Sequence, residues 1–170
     1  MGFSNSMRQK VLVIEDDIRF GKIMIEKAHE MDLKVVVATV FGDVFDLANK
    51  FAPIAVTLDV KLPDASGWRI LDLFKNDINF RHIPVHLISG EENRLLAMQR
   101  GARSFHLKPL KTDALTVLFA DIVEFNSRKP KRVLLVEDNE GDILLTQEVF
   151  EETKVPIAST VVRDGKEAID

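Results

Sequence analysis

The chain of 170 residues contains no cysteine. A disulfide scaffold, a thiolate zinc site and a thiol nucleophile are thereby excluded, and a reducing compartment fits. No apolar stretch approaches the ~20 residues that span a bilayer, and the opening MGFSNSMRQK lacks the apolar core of a secretory signal. We therefore expect this segment to be cytoplasmic, with any membrane anchor elsewhere in a parent protein, and read residues 1–9 as a tag or linker. Positive charge is also short. Lys and Arg number 23 against 27 Asp and Glu, a formal charge of −4 that provides no general field for nucleic acid. Neither GxxxxGK[ST] nor GxGxxG occurs, which removes the common phosphate-cradling loops.

What is present is an alternation. Short runs rich in Val and Ile (KVLVIE, LKVVVATV, IAVTLDV, IPVHLIS, RSFHL) each precede an amphipathic segment. Ile70, Leu71 and Phe74 recur at helical spacing, as do Leu115, Leu118, Phe119 and Ile122. The strands lack strict polar alternation, the pattern of parallel strands covered on both faces. Five β/α units with right-handed crossovers make a doubly wound α/β domain over residues 10–127.

The polar, basic NSRKPKR that follows places a linker at 128–131. The pattern then restarts. VLVIEDD at 11–17 returns as VLLVEDN at 133–139, so Glu15 and Asp16 fall on Glu137 and Asp138 at an offset of 122. Carrying that offset onward puts Val35 on Ile157 and Val40 on Val162. We expect residues 132–170 to be the first part of a second copy. About 40 residues bury too little to fold alone, and its first strand would expose both edges, so we expect another copy of the chain to cover it.

In an open parallel sheet, ligands bind beyond the carboxyl ends of the strands. The residues there are Glu15, Asp16 and Asp17 after strand one, Asp59 after strand three, Ser89 after strand four and Lys108 after strand five. Carboxylates clustered at ~4 Å repel by several kcal/mol at an effective dielectric near 20, and a hard divalent cation such as Mg²⁺ relieves this. An aspartate beside Mg²⁺ and a lysine can attack phosphorus to give an acyl phosphate, with Mg²⁺, Lys108 and the Ser89 hydroxyl each taking one phosphoryl oxygen.

The motifs VLVIEDD, VTLDVKLPDASGW, HLISG and GARSFHLKP, in this order and spacing, resemble the receiver domains of two-component response regulators, here in a tandem arrangement similar to part of a hybrid histidine kinase. The resemblance implies a flavodoxin-like sheet with strand order 2-1-3-4-5. It implies that Asp59 is the phosphoacceptor, taking its phosphoryl group from a phosphohistidine on a histidine kinase or phosphotransfer domain. It also implies that Glu15, Asp16, Asp59 and the Lys61 main-chain carbonyl hold Mg²⁺ or Mn²⁺. Ser89 and Phe105 stand at the family's switch positions, Lys108 is its lysine, and Lys108-Pro109 resembles its cis peptide. The stretch from Ser89 to Lys108 is about one helical turn shorter than usual, so the fourth helix should be short or shifted.

Plainer readings exist for each residue alone. Glu15-Asp16 could be a solvated turn, Ser89 a backbone-bonded hydroxyl, Lys108 a surface charge and Phe105 core packing. Asp17 reads as a helix cap and Trp68 as packing. His29, His82, His86 and His106 share no metal-ligand spacing and read as structural or solvated. Among functions, a phosphatase of the haloacid dehalogenase type needs a second aspartate where Lys61 stands, and a scaffold that keeps the fold without phosphorylation would not need the full pocket.

Overall fold

Strand β1 (Lys10–Ile14) buries four of its five residues, as a central strand covered on both faces requires. It pairs in parallel with β2 (Lys34–Ala38) on one side and β3 (Ala55–Asp59) on the other, and β4 (Val85–Ser89) and β5 (Ser104–Leu107) extend the sheet. The order is 2-1-3-4-5, the flavodoxin-like arrangement the motifs imply. The computed structural model describes residues 9–127, 131–152 and 157–169. The sequence expectations at 1–8 and 128–130 lie outside the described residues.

Alternation along the strands sorts the core into two layers. Leu12, Ile14, Val56, Leu58, Val85 and Leu87 pack with helices α2 (Phe41–Phe51), α3 (Gly67–Asn76) and α4 (Arg94–Gln99). Val11, Val13 and Ile88 face the other way, onto α1 (Ile18–Glu30) and α5 (Thr112–Ser127). Asp17 starts α1, its Oδ1 accepting from the amides of Arg19 and Phe20 at 2.9 and 3.3 Å. The start of α2 has no side-chain cap from the preceding residue, Val40. Asp64, from the β3–α3 connection, supplies one: both its carboxylate oxygens accept from the Phe41 amide, at 3.0 and 2.9 Å. Helix α4 has only six residues, the shortening read from the sequence.

A polar row interrupts the α5 layer. Thr57, His86 and Ser104 are register neighbours across β3, β4 and β5. His86 is wholly buried, and its Nδ1 lies 2.7 Å from the Ser104 hydroxyl, which in turn lies 2.8 Å from His106 Nε2. One hydroxyl thus links the two imidazoles.

The chain divides into two compact units, the first ending at Asn126. In the second, β6 (Lys131–Val136) and β7 (Ile157–Val162) form a parallel pair preceded and followed around α6 (Glu140–Glu152) as β1 and β2 are around α1. Local chemistry repeats as well. Glu137 Oε1 accepts from the Asn139 amide at 3.0 Å, as Glu15 Oε1 does from Asp17, and Asn139 caps α6 through the Gly141 and Asp142 amides. The constant offset does not hold past the helix, however. Ile14 pairs with Ala38 whereas Val136 pairs with Val162, so Val162 matches Ala38 and not Val40, and Ser159 matches Val35 in place of Ile157. Past the helix the strand registers are offset by 124 residues in place of 122, a shift that acidic anchors upstream of it cannot reveal. Residues 163–169 form bends and turns.

Candidate functional site

The site lies where β1, β3, β4 and β5 end. Each strand is held by ladder bonds on one or both sides, so the first side chains past the ladder are presented at fixed positions. Glu15 leaves β1 with its amide bonded to the Ala38 carbonyl at 3.0 Å, and it is buried. Asp59 closes β3 and is buried too. Ser89 closes β4, buried, and its carbonyl accepts from the Lys108 amide at 2.7 Å.

Lys108 joins the carboxylates. Its Nζ lies 2.8 Å from Asp59 Oδ2 and 3.2 Å from Glu15 Oε2. Asp59 Oδ1 accepts from the Lys61 amide at 3.0 Å, and Ser89 Oγ from the Glu91 amide at 3.0 Å. Asp16 stands exposed beside them. Burial is the chief reason the Glu15 carboxyl rises to about 7; the Asp59 charge adds to this, while the Asp17 amide and Lys108 oppose it. For Lys108, burial alone would lower the ammonium's pKa, but the bond to Asp59 and the charges of Glu15 and Asp59 outweigh it and hold the group above its usual value. It is a fixed cation.

Glu15, Asp16 and Asp59 each bring one oxygen within 4.8 Å of the others. Oxygens on one octahedral Mg²⁺ lie up to ~4.2 Å apart, so small side-chain rotations close the set. The donors are all hard carboxylate oxygens, which fits Mg²⁺ or Mn²⁺ and disfavours softer ions. Glu137 and Asp138 of the second unit repeat the acidic pair.

Other residues singled out in the sequence fall nearby. Lys61 is exposed and, with Trp68 and Ser89, lines an open groove of about 720 Å³ between the β3–α3 and β4–α4 connections. Lys108-Pro109 is cis. Phe105, on β5, is turned inward and only 3% exposed. Gly67 is where α3 passes over the end of β3: a Cβ there would meet the Asp59 carbonyl oxygen and, at 2.6 Å, Val60 Cα.

Two contacts carried no sequence signal. The Lys108 ammonium sits 5.1 Å from the centre of the Phe20 ring, and the Arg94 guanidinium 5.3 Å from that of Phe105. Both join residues whose neighbourhood depends on how helix and sheet meet.

A doubly wound five-stranded domain with three carboxylates and a lysine at the strand ends defines an acidic pocket of the signal-receiver class. The chain belongs to the response regulator receiver domain family, whose pattern it matches over residues 11–120. It is similar to the response regulator protein GraR of Staphylococcus aureus, 26% identical over 141 residues, 79% of this chain and 61% of GraR. The chain therefore spans about three-fifths of that relative's length. Among solved structures, the receiver domain of a putative LuxO repressor protein from Vibrio parahaemolyticus is 24% identical with a TM-score of 0.64, covering 71% of this chain and 93% of its own. The response regulator DrrB of Thermotoga maritima is 26% identical with a TM-score of 0.61, covering 72% and 55%. Among the described residues no helix is long and apolar enough to cross a membrane.

Proposed function

We propose that the first unit is a phosphoacceptor receiver in which Asp59 takes a phosphoryl group from a phosphohistidine on a histidine kinase or phosphotransfer domain. The supporting observation is the approach of Lys108 to Asp59 beside two further acids. A carboxylate oxygen of Asp59 forms the new bond to phosphorus as the donor's P–N bond breaks and the imidazole departs with the electron pair. Glu15, Asp16, Asp59 and the Lys61 carbonyl would hold Mg²⁺ or Mn²⁺, which supplies charge neutralisation on the phosphoryl oxygens. Lys108 keeps one oxygen, and Ser89, giving up its bond from the Glu91 amide, takes another. Phe105, already inward, is held there as Ser89 closes, and the surface made by α4, β5 and α5 changes with the β4–α4 connection.

The second unit we read as the beginning of another receiver, in the manner of a hybrid histidine kinase, with Glu137 and Asp138 as its acidic pair. Leu134 and Val136 are 50% and 47% exposed where their counterparts Leu12 and Ile14 are buried, which supports a homo-oligomer through this unit. Light scattering across a concentration range tests that, and a strict monomer would remove it. We assign no nucleic-acid or membrane contact to this chain, given its net charge of −4.

The deciding experiment is intact mass after incubation with acetyl phosphate, with and without Mg²⁺, on the wild type and Asp59→Asn. A Mg²⁺-dependent gain of ~80 Da that the substitution abolishes is the expected result. No adduct, together with no thermal shift from Mg²⁺ and beryllofluoride, makes the domain a non-phosphorylated scaffold.

A further inference from the structure

We propose that Arg94 is the positioning residue that latches Phe105 in its inward state. This rests on the reading of Phe105 as the mobile element of the phosphoacceptor site. Phe105 sits on β5, the edge strand, with its ring packed in the core alongside Leu87, Ala97 and Ala102. A second seat lies next to it. A groove of about 410 Å³, more than a phenyl ring needs, opens to solvent and is lined by Arg94, Phe105, His106, Leu107 and Pro109 among others.

Arg94 stands between the two seats. Its Nη1 donates to the Phe105 carbonyl at 3.1 Å, and its guanidinium covers the ring at 5.3 Å. The same side chain thus fixes both the backbone and the ring of one residue. Its acidic neighbour, Glu92, is exposed and 3.8 Å away, too weak a partner to draw it off. Outward rotation of Phe105 must displace the guanidinium. The first residue of α4 is thereby tied to β5, while the other end of the β4–α4 connection is tied to Ser89 through the Glu91 amide. The latch keeps the Ser89 and Phe105 ends of that connection in one arrangement before any phosphoryl group arrives.

The test labels the full chain with 4-fluorophenylalanine, assigns the Phe105 signal through Phe105→Leu, and reads its ¹⁹F solvent isotope shift with and without Mg²⁺ and beryllofluoride. In the wild type the signal should be shielded from solvent in both conditions. In Arg94→Ala it should be exposed without beryllofluoride and shielded with it, and the apparent affinity for beryllofluoride should fall about fivefold, since binding must first restore the inward population. Arg94→Lys, which keeps the charge but not the planar stack, should lie between and also serves if the alanine variant does not fold. A Phe105 signal equally shielded in all three overturns the latch. Failure of the wild type to bind beryllofluoride would overturn the phosphoacceptor reading alone, because the Phe105 signal of the unliganded proteins still decides the latch.

Discussion

The Lys108 ammonium lies 2.8 Å from the Asp59 carboxylate, although 49 residues separate them in the chain. Two β/α crossovers bring them together, and the same ammonium reaches Glu15, 93 residues away, at 3.2 Å. One cation thus balances two buried acids.

Replacing Lys108 with Met should therefore destabilise the fold by about 1–3 kcal/mol in the absence of divalent ions, because Glu15 and Asp59 are left buried without a counter-charge. Adding Mg²⁺ should restore more stability to this variant than to the wild type. Urea denaturation with EDTA and with Mg²⁺ measures both; equal Mg²⁺ effects on the two proteins would contradict the shared-pocket account.

Gly67→Ala should cost about 1–3 kcal/mol, since the new methyl meets backbone and not a movable side chain. The disturbance falls on the Asp59 carbonyl and Val60, so the amide signals of residues 59–61 should shift most. A neutral substitution, or shifts spread evenly through the domain, would disagree.

Asp64→Ala removes the side-chain cap on the Phe41 amide at the start of α2, and a loss of about 1 kcal/mol follows from the usual worth of such a cap. Asp64→Asn should retain most of it. Exchange protection at the start of α2 is the sensitive readout, because the helix interior is also held by Val44 and Ala48 in the core.

Acid should weaken the fold through His86. Burial is the main reason its imidazole is lowered to about 4, with Asp121 opposing and His106, Arg103 and Lys75 reinforcing the shift. Unfolded, the ring takes its proton near pH 6.5. Between pH 6.5 and about 4 the unfolded chain binds more protons than the folded one, so stability present above pH 6.5 declines through that window, by about 3 kcal/mol at most. His86→Met should show a shallower decline over the same range; matching slopes would assign the acid sensitivity to the carboxylates instead.

Much of this architecture is legible in the sequence. The Val- and Ile-rich runs dictate buried parallel strands because only a strand covered on both faces can hide side chains pointing both ways, and the acids, serine and lysine that end those runs identify the pocket. The cap at Asp17 and the shortened α4 follow equally from local residue type and spacing. Tertiary structure decided the rest. The two-residue shift that puts Val162 opposite the place of Ala38 is visible only in strand register. That Asp64 caps a helix begun 23 residues earlier, that His86 shares a hydroxyl with His106, and that Arg94 lies over Phe105 all depend on which surfaces meet when helices dock on the sheet. Hydrophobic periodicity specifies which face of an element is buried; it carries no record of the polar side chains that the opposing element places there.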